Sequence, residues 1–145
     1  MCIHVDDLKV AGPREIVMKI LKAIENDFGQ LKIDWHSFTN CGVRHVQDPS
    51  TFEITLDQIE YINGISVVVD AGLRSRPSDD YCTQAVHDQY WSILGAVAYA
   101  TLTRPDIGVF VSALQRHSQK PKNIHAKRLN AVVRWAQRNP QKLVY

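Results

Sequence analysis

No run in this 145-residue chain approaches the ~20 consecutive apolar residues that a membrane-spanning helix needs. A membrane protein of that kind is therefore not expected. The opening "MCIHVDD" has no basic segment followed by an apolar core, so it does not read as a signal peptide. Cysteine is scarce: Cys2, Cys41 and Cys82 are odd in number and far apart. That argues against a disulfide framework and suits free thiols in a reducing compartment. The seven glycines are scattered, so no phosphate-cradling loop is present, and no Gly-x-Ser-x-Gly elbow surrounds Ser92 or Ser112. His36, Cys41 and His45 lie close together, but a structural zinc site wants a second short-spaced pair and there is none.

Acidic residues are almost missing from the C-terminal part. Residues 1–103 hold 8 Lys+Arg against 14 Asp+Glu, whereas residues 104–145 hold 9 Lys+Arg and only Asp106. The formal net charge of +2 hides this asymmetry. A basic end of this kind suits a polyanion partner, with a solvated helical face as the plainer alternative.

Enough apolar residue types are present for a folded core. Residues 2–12 fit a two-residue hairpin with Asp6-Asp7 as the loop, Val5 opposite Leu8, His4 opposite Lys9 and Ile3 opposite Val10. Ile3, Val5, Leu8 and Val10 then form one face, with His4 and Lys9 on the other. Pro13 starts a helix whose Ile16, Val17, Ile20, Ile24 and Phe28 face a core, and Gly29 stops it. A second hairpin is expected around residues 38–56, turning at Asp48-Pro49-Ser50, with Phe52, Ile54 and Leu56 alternating with Glu53, Thr55 and Asp57. Asp57 and Glu60 read as a capping pair for a short helix closed by Asn63-Gly64.

Residues 65–82 carry the weakest pattern; "VVVD" suits a short strand and "RSRPSDDY" a loop. From Thr83 a helical stripe runs through Val86, Tyr90, Ile93, Leu94, Val97 and Thr101, and Gly95, Ala96, Ala98 and Ala100 make a thin surface for close packing. A helix from Pro105 turns Ile107, Phe110, Val111 and Leu114 inward. A last helix, 123–138, buries Leu129, Val132, Val133 and Ala136 and presents Lys127, Arg128, Arg134 and Arg138 on its other side. Trp135 reads as core, since large aromatics are mostly buried. Strands early and helices late give an α+β class.

Asp6 and Asp7 are the candidate chemistry. Paired carboxylates at a hairpin tip can bind Mg²⁺ through hard oxygen ligands, and a two-metal site would bind both the attacking and leaving oxygens of a phosphoryl transfer. Such a site normally takes a further carboxylate from elsewhere; a solvated turn is the other reading.

Several segments together resemble one family. "HVDDLKVAG" is similar to the "YVDDLLIAG" motif of reverse transcriptases of the Ty1/copia retrotransposon class. "ITLDQIEYI" resembles that family's segment after the primer-grip hairpin, and "YWSILGAVAYATLTRPDIGVFVSALQRHSQKP" resembles its "TRPDI" block; "IHAKRLNAVVRW" follows as the next helix. The resemblance spans nearly the whole chain. It implies a partial polymerase palm of two β-hairpins and a helix over residues 1–64, followed by an α-helical thumb and connection region over residues 65–145. It implies catalytic and Mg²⁺-binding roles for Asp6 and Asp7, and nucleic-acid contacts from His4, Lys127, Arg128, Arg134 and Arg138. The reaction implied is template-directed DNA synthesis by a nucleotidyltransferase of a Gag-Pol polyprotein. Its partners would be an RNA/DNA primer–template duplex and a deoxynucleotide, in an intracellular setting, cytoplasmic or nuclear.

His4 stands where the family has tyrosine, and the family's first catalytic aspartate and fingers precede the matched region. The chain therefore reads as the second half of a polymerase domain, inactive alone, with the missing N-terminal half as a possible partner and an unpaired edge on its partial sheet. A non-catalytic nucleic-acid-binding helical module is the alternative, and a purely structural helical domain with an incidental turn is the third reading.

Overall fold

The computed structural model describes residues 2–4 and 7–145. Its elements run β1 (Cys2–His4), β2 (Asp7–Lys9), α1 (Arg14–Phe28), β3 (Ser37–Asn40), β4 (Val43–Gln47), β5 (Ile54–Asp57), α2 (Ile59–Asn63), α3 (Gln84–Ala100), α4 (Gly108–Gln115), α5 (Asn123–Arg138) and β6 (Leu143–Val144). A 3-10 turn, Pro105–Ile107, leads into α4. The class is α+β: antiparallel strands precede the helical cluster, and a last short strand returns to the sheet.

The β1–β2 register differs from the expected one. Cys2 pairs with Lys9, Ile3 with Leu8 and His4 with Asp7. Asp7 is therefore a strand residue rather than half of the loop, and His4 faces Asp7 across the ladder instead of Lys9. The slip is of two residues. An even slip leaves each position on the same side of the pleat, so the apolar alternation cannot distinguish the two registers.

Pro13 precedes α1 as expected, its carbonyl accepting from the Ile16 and Val17 amides, and Gly29 (φ +88°) ends it. The apolar stripe is rotated from the sequence expectation. Val17 and Leu21 are buried, whereas Ile16 is 54% and Phe28 83% exposed.

In place of a second simple hairpin there is a four-stranded antiparallel sheet ordered β3-β4-β5-β6. β3 and β4 join through Cys41-Gly42, both at positive φ (48° and 71°), the geometry that keeps a two-residue turn in step with the strand twist. The β4–β5 turn is built on Asp48, whose Oδ1 accepts from the Ser50 and Thr51 amides at 2.7 and 3.0 Å. The Ser50 hydroxyl, which donates to the same oxygen at 2.5 Å, and then these two amides lower the Asp48 carboxyl pKa to about 2. Phe52 lies in this turn with φ +62° and is exposed, so it is not part of the alternating strand expected there. Asp57 accepts from the Ile59 amide at 3.2 Å while Glu60 stays exposed, so only half of the expected capping pair forms. β6 pairs with β5 through Thr55↔Val144 and Leu56↔Leu143.

The helical core gathers Val86, Tyr90, Ile93, Leu94 and Val97 of α3, Ile107, Val111 and Leu114, and Ala126, Leu129, Val133 and Ala136 of α5, together with Ile62 of α2. Each large apolar side chain buried there contributes about 1.5–3 kcal/mol. Phe110, expected to face inward, is 56% exposed. Gly95, expected on a thin close-packing surface, has among the described residues no neighbour within 4 Å of where a Cβ would stand.

Among the described residues, 67–69 form no ladder with another strand. Two side-chain amides substitute for one. Asn130 accepts from the Val68 amide at 2.7 Å and donates to its carbonyl at 2.9 Å, and Gln89 makes the equivalent pair with Val69 at 2.9 and 3.2 Å. Gln137 of α5 likewise donates to the carbonyls of Ile62 and Ile65 at 3.1 and 2.9 Å. Polar residues on α3 and α5 thus hold the irregular segment by satisfying backbone groups that lack a sheet partner.

Candidate nucleic-acid interface

Asp6 lies outside the described residues. Asp7 begins β2 opposite His4, and both stand in the β1–β2 hairpin. Among the described residues, no three of His, Cys, Asp or Glu come together in an arrangement able to hold a metal ion. Among those residues, too, no helix is long and apolar enough to cross a membrane.

The basic residues of α5 are better defined. Ala126, Leu129, Val133 and Ala136 turn the helix toward α2, α3 and α4, which exposes the opposite side. Arg128, Ala131, Trp135 and Arg138 follow at steps of three, four and three residues, and all are exposed. Such steps place them in one row along the helix. Arg134, also exposed, sits one turn before Arg138 in the adjacent row. Among the described residues, none of Arg128, Arg134 and Arg138 pairs with a carboxylate. Lys127 differs. It is half-buried, and its Nζ donates to the Arg76 carbonyl at 3.0 Å, tying α5 to the loop before α3.

Trp135 is 45% exposed, not core as its size suggested. What holds it is Arg104, from the "TRPDI" stretch, which is 0% exposed. Its Nε and Nη2 donate to the two Asp106 oxygens, both at 2.9 Å, and its Nη1 donates to the Ala136 carbonyl at 3.1 Å. The guanidinium lies 5.3 Å from the Trp135 ring centroid, within the range of a cation–π contact. These hydrogen bonds from Arg104 hold the Asp106 carboxyl below its usual range. One residue earlier, Thr103 donates to Gln58 Oε1 at 3.0 Å. Thr103 and Arg104 therefore join the α3–α4 corner to α2 and α5. The sequence pattern marked a helix start at Pro105 and a resemblance in this stretch, but gave Arg104 no role. An Arg-x-Asp spacing next to a helix corner was the available signal.

At the other end of α5, the His125 and His117 rings stack at 3.9 Å between centroids. His125 Nδ1 accepts from the Lys122 amide at 3.0 Å, satisfying a donor at the helix start. Burial pushes the His125 pKa down, and the nearby His117, Arg128 and Lys122 push it further the same way. The neutral ring that the cap requires is thus the favoured form.

The sequence-expected site residues therefore fall into two places. His4 and Asp7 lie in the hairpin, and Arg128, Arg134 and Arg138 lie together on α5. Comparison with protein-family models, with curated proteins and with solved structures finds no match for this chain.

Proposed function

We propose that this chain is part of a copia-type reverse transcriptase and that it grips nucleic acid by the outer face of α5. The observation that carries this reading is the set of three exposed arginines on one helix face, with no carboxylate paired to them among the described residues. Such a face suits phosphate oxygens, which need cations and fixed geometry but carry no sequence information. In this reading the hairpin region over residues 38–56 corresponds to the primer grip, and the helices after it to thumb and connection. Asp6 and Asp7 are two of the polymerase carboxylates, with Mg²⁺ as the metal they would share. The 145 residues alone supply no matched third carboxylate, so this polypeptide is expected not to extend a primer.

Binding of an RNA–DNA primer–template duplex, followed by fluorescence anisotropy, tests the reading. Combined Arg128→Ala, Arg134→Ala and Arg138→Ala substitutions should weaken it at least tenfold at low salt. Unchanged affinity would refute the assignment of this face. Binding that survives Asp6→Asn and Asp7→Asn is expected here and also under the alternative, a non-catalytic binding module. Template-dependent extension by the purified chain would overturn the claim of inactivity.

A further inference from the structure

The row Arg128–Ala131–Trp135–Arg138 contains one residue that phosphate binding does not explain. Trp135 is nearly half exposed in the middle of an arginine face. Isolated surface aromatics are common and need no account. This one differs because its orientation is enforced. Arg104 is fully buried beneath the ring and is itself fixed by three hydrogen bonds, two to Asp106 and one to the Ala136 carbonyl. The backbone is also held, since the Trp135 carbonyl accepts from both the Asn139 amide and its side-chain Nδ2, at 3.0 and 2.8 Å. A cation on the inner side therefore fixes the indole, and the exposure belongs to its outer side.

The neighbours complete the geometry. Ala131, one turn before Trp135, is exposed and small, so no long side chain rises from that position beside the ring. Arg128 and Arg138 stand in the same row on either side, and Arg134 precedes Trp135 directly. Arg128 to Arg138 spans about 15 Å of helix, at about 1.5 Å per residue. That is room for a few nucleotides.

We propose that Trp135 is a stacking platform for an unpaired base, with Arg128, Arg134 and Arg138 holding the flanking phosphates, so that α5 selects single-stranded over duplex nucleic acid. The inference rests on the reading of this face as a nucleic-acid interface and adds the class of nucleic acid. Within a duplex, both faces of a base are covered by its neighbours, and a ring on a helix surface reaches only backbone. In a single strand the base can turn out and lie on an aromatic face while arginines take the phosphates. Stacking of this kind tolerates any base, because every base has a π-face.

The test compares a fluorescently labelled 12-nucleotide oligo(dT) and a matched 12-base-pair duplex. The proteins are the unaltered chain, Trp135→Leu, Trp135→Phe and the triple arginine variant. Leucine keeps an apolar cover over Arg104 but offers no ring. Trp135→Leu should lose about tenfold in single-strand affinity with duplex affinity unchanged, and Trp135→Phe should keep most of it. The triple arginine variant should lose both. A folded Trp135→Leu protein with undiminished single-strand binding overturns the platform, while loss in the arginine variant leaves the broader reading standing. If the arginine variant loses nothing, the broader reading falls instead. Should Trp135→Leu fail to fold, fluorescence in a Trp35→Phe, Trp91→Phe background decides, since Trp35 and Trp91 are exposed and Trp135 is then the only tryptophan. Quenching by oligo(dT) supports stacking, and its absence at saturating oligonucleotide overturns it.

Discussion

Replacing Arg104 by methionine removes the group that joins the α3–α4 corner to α5, and the cost can be worked from its contacts. Two charge-assisted bonds to Asp106 at 2.9 Å and one bond to the Ala136 carbonyl at 3.1 Å are lost. The Asp106 side chain is 28% exposed, so the freed carboxylate is rehydrated and contributes little penalty. The buried Ala136 carbonyl loses this partner, at about 1–3 kcal/mol. The lost charged hydrogen bonds contribute about 1.5–3 kcal/mol each, offset by relief of the desolvation that a fully buried guanidinium suffers. Methionine refills much of the volume. The net loss is about 2–4 kcal/mol, a large share of a typical domain's stability. It lowers the midpoint of thermal unfolding by about 5–15 °C for a chain of this size. Urea unfolding at pH 7, followed by far-UV circular dichroism, measures it. A loss under about 1 kcal/mol, or a gain, would refute the reasoning and show that the ion pair does no more than offset its own burial.

Two further perturbations test the interior. Asn130→Ala leaves the Val68 amide and carbonyl without partners, so about 2–3 kcal/mol of stability should be lost and the Val68 amide should exchange faster with solvent; unaltered exchange would argue that the clamp is incidental. His125 is held below its ordinary pKa, so the unfolded chain binds more protons as pH falls past about 6.5. Stability should be full above that pH and decline below it, and His125→Gln should flatten the decline. His45, whose pKa burial and Lys9 lower, contributes with the same sign. A midpoint independent of pH between 7 and 5 would contradict both assignments.

The long helices were legible in sequence because apolar residues recur over many turns: α5 occupies the expected 123–138, and Val86 to Val97 lie buried in a single stripe. Shorter elements were less so, for identifiable reasons. The β1–β2 register slipped because both alignments satisfy the same two-residue alternation. The run at 67–69 has the β-branched composition of a strand, yet its partners are the amides of Asn130 and Gln89, more than 60 and about 20 residues away, which local pattern cannot supply. β6 is two residues long and exists through pairing with β5. The candidate site divides likewise. The arginines of α5 could be counted from the helix period, but the exposure of Trp135 depends on a buried arginine from another corner. Sequence rules place arginine at the surface.

The central claim is that α5 binds phosphates through Arg128, Arg134 and Arg138, and the salt dependence of binding tests it most directly. The logarithm of the association constant for a duplex, plotted against the logarithm of salt concentration, has a slope of about −0.9 per phosphate neutralised. The triple alanine variant should show a slope shallower than that of the unaltered chain by about 2.7, one increment for each arginine. Equal slopes for the two proteins would contradict the claim.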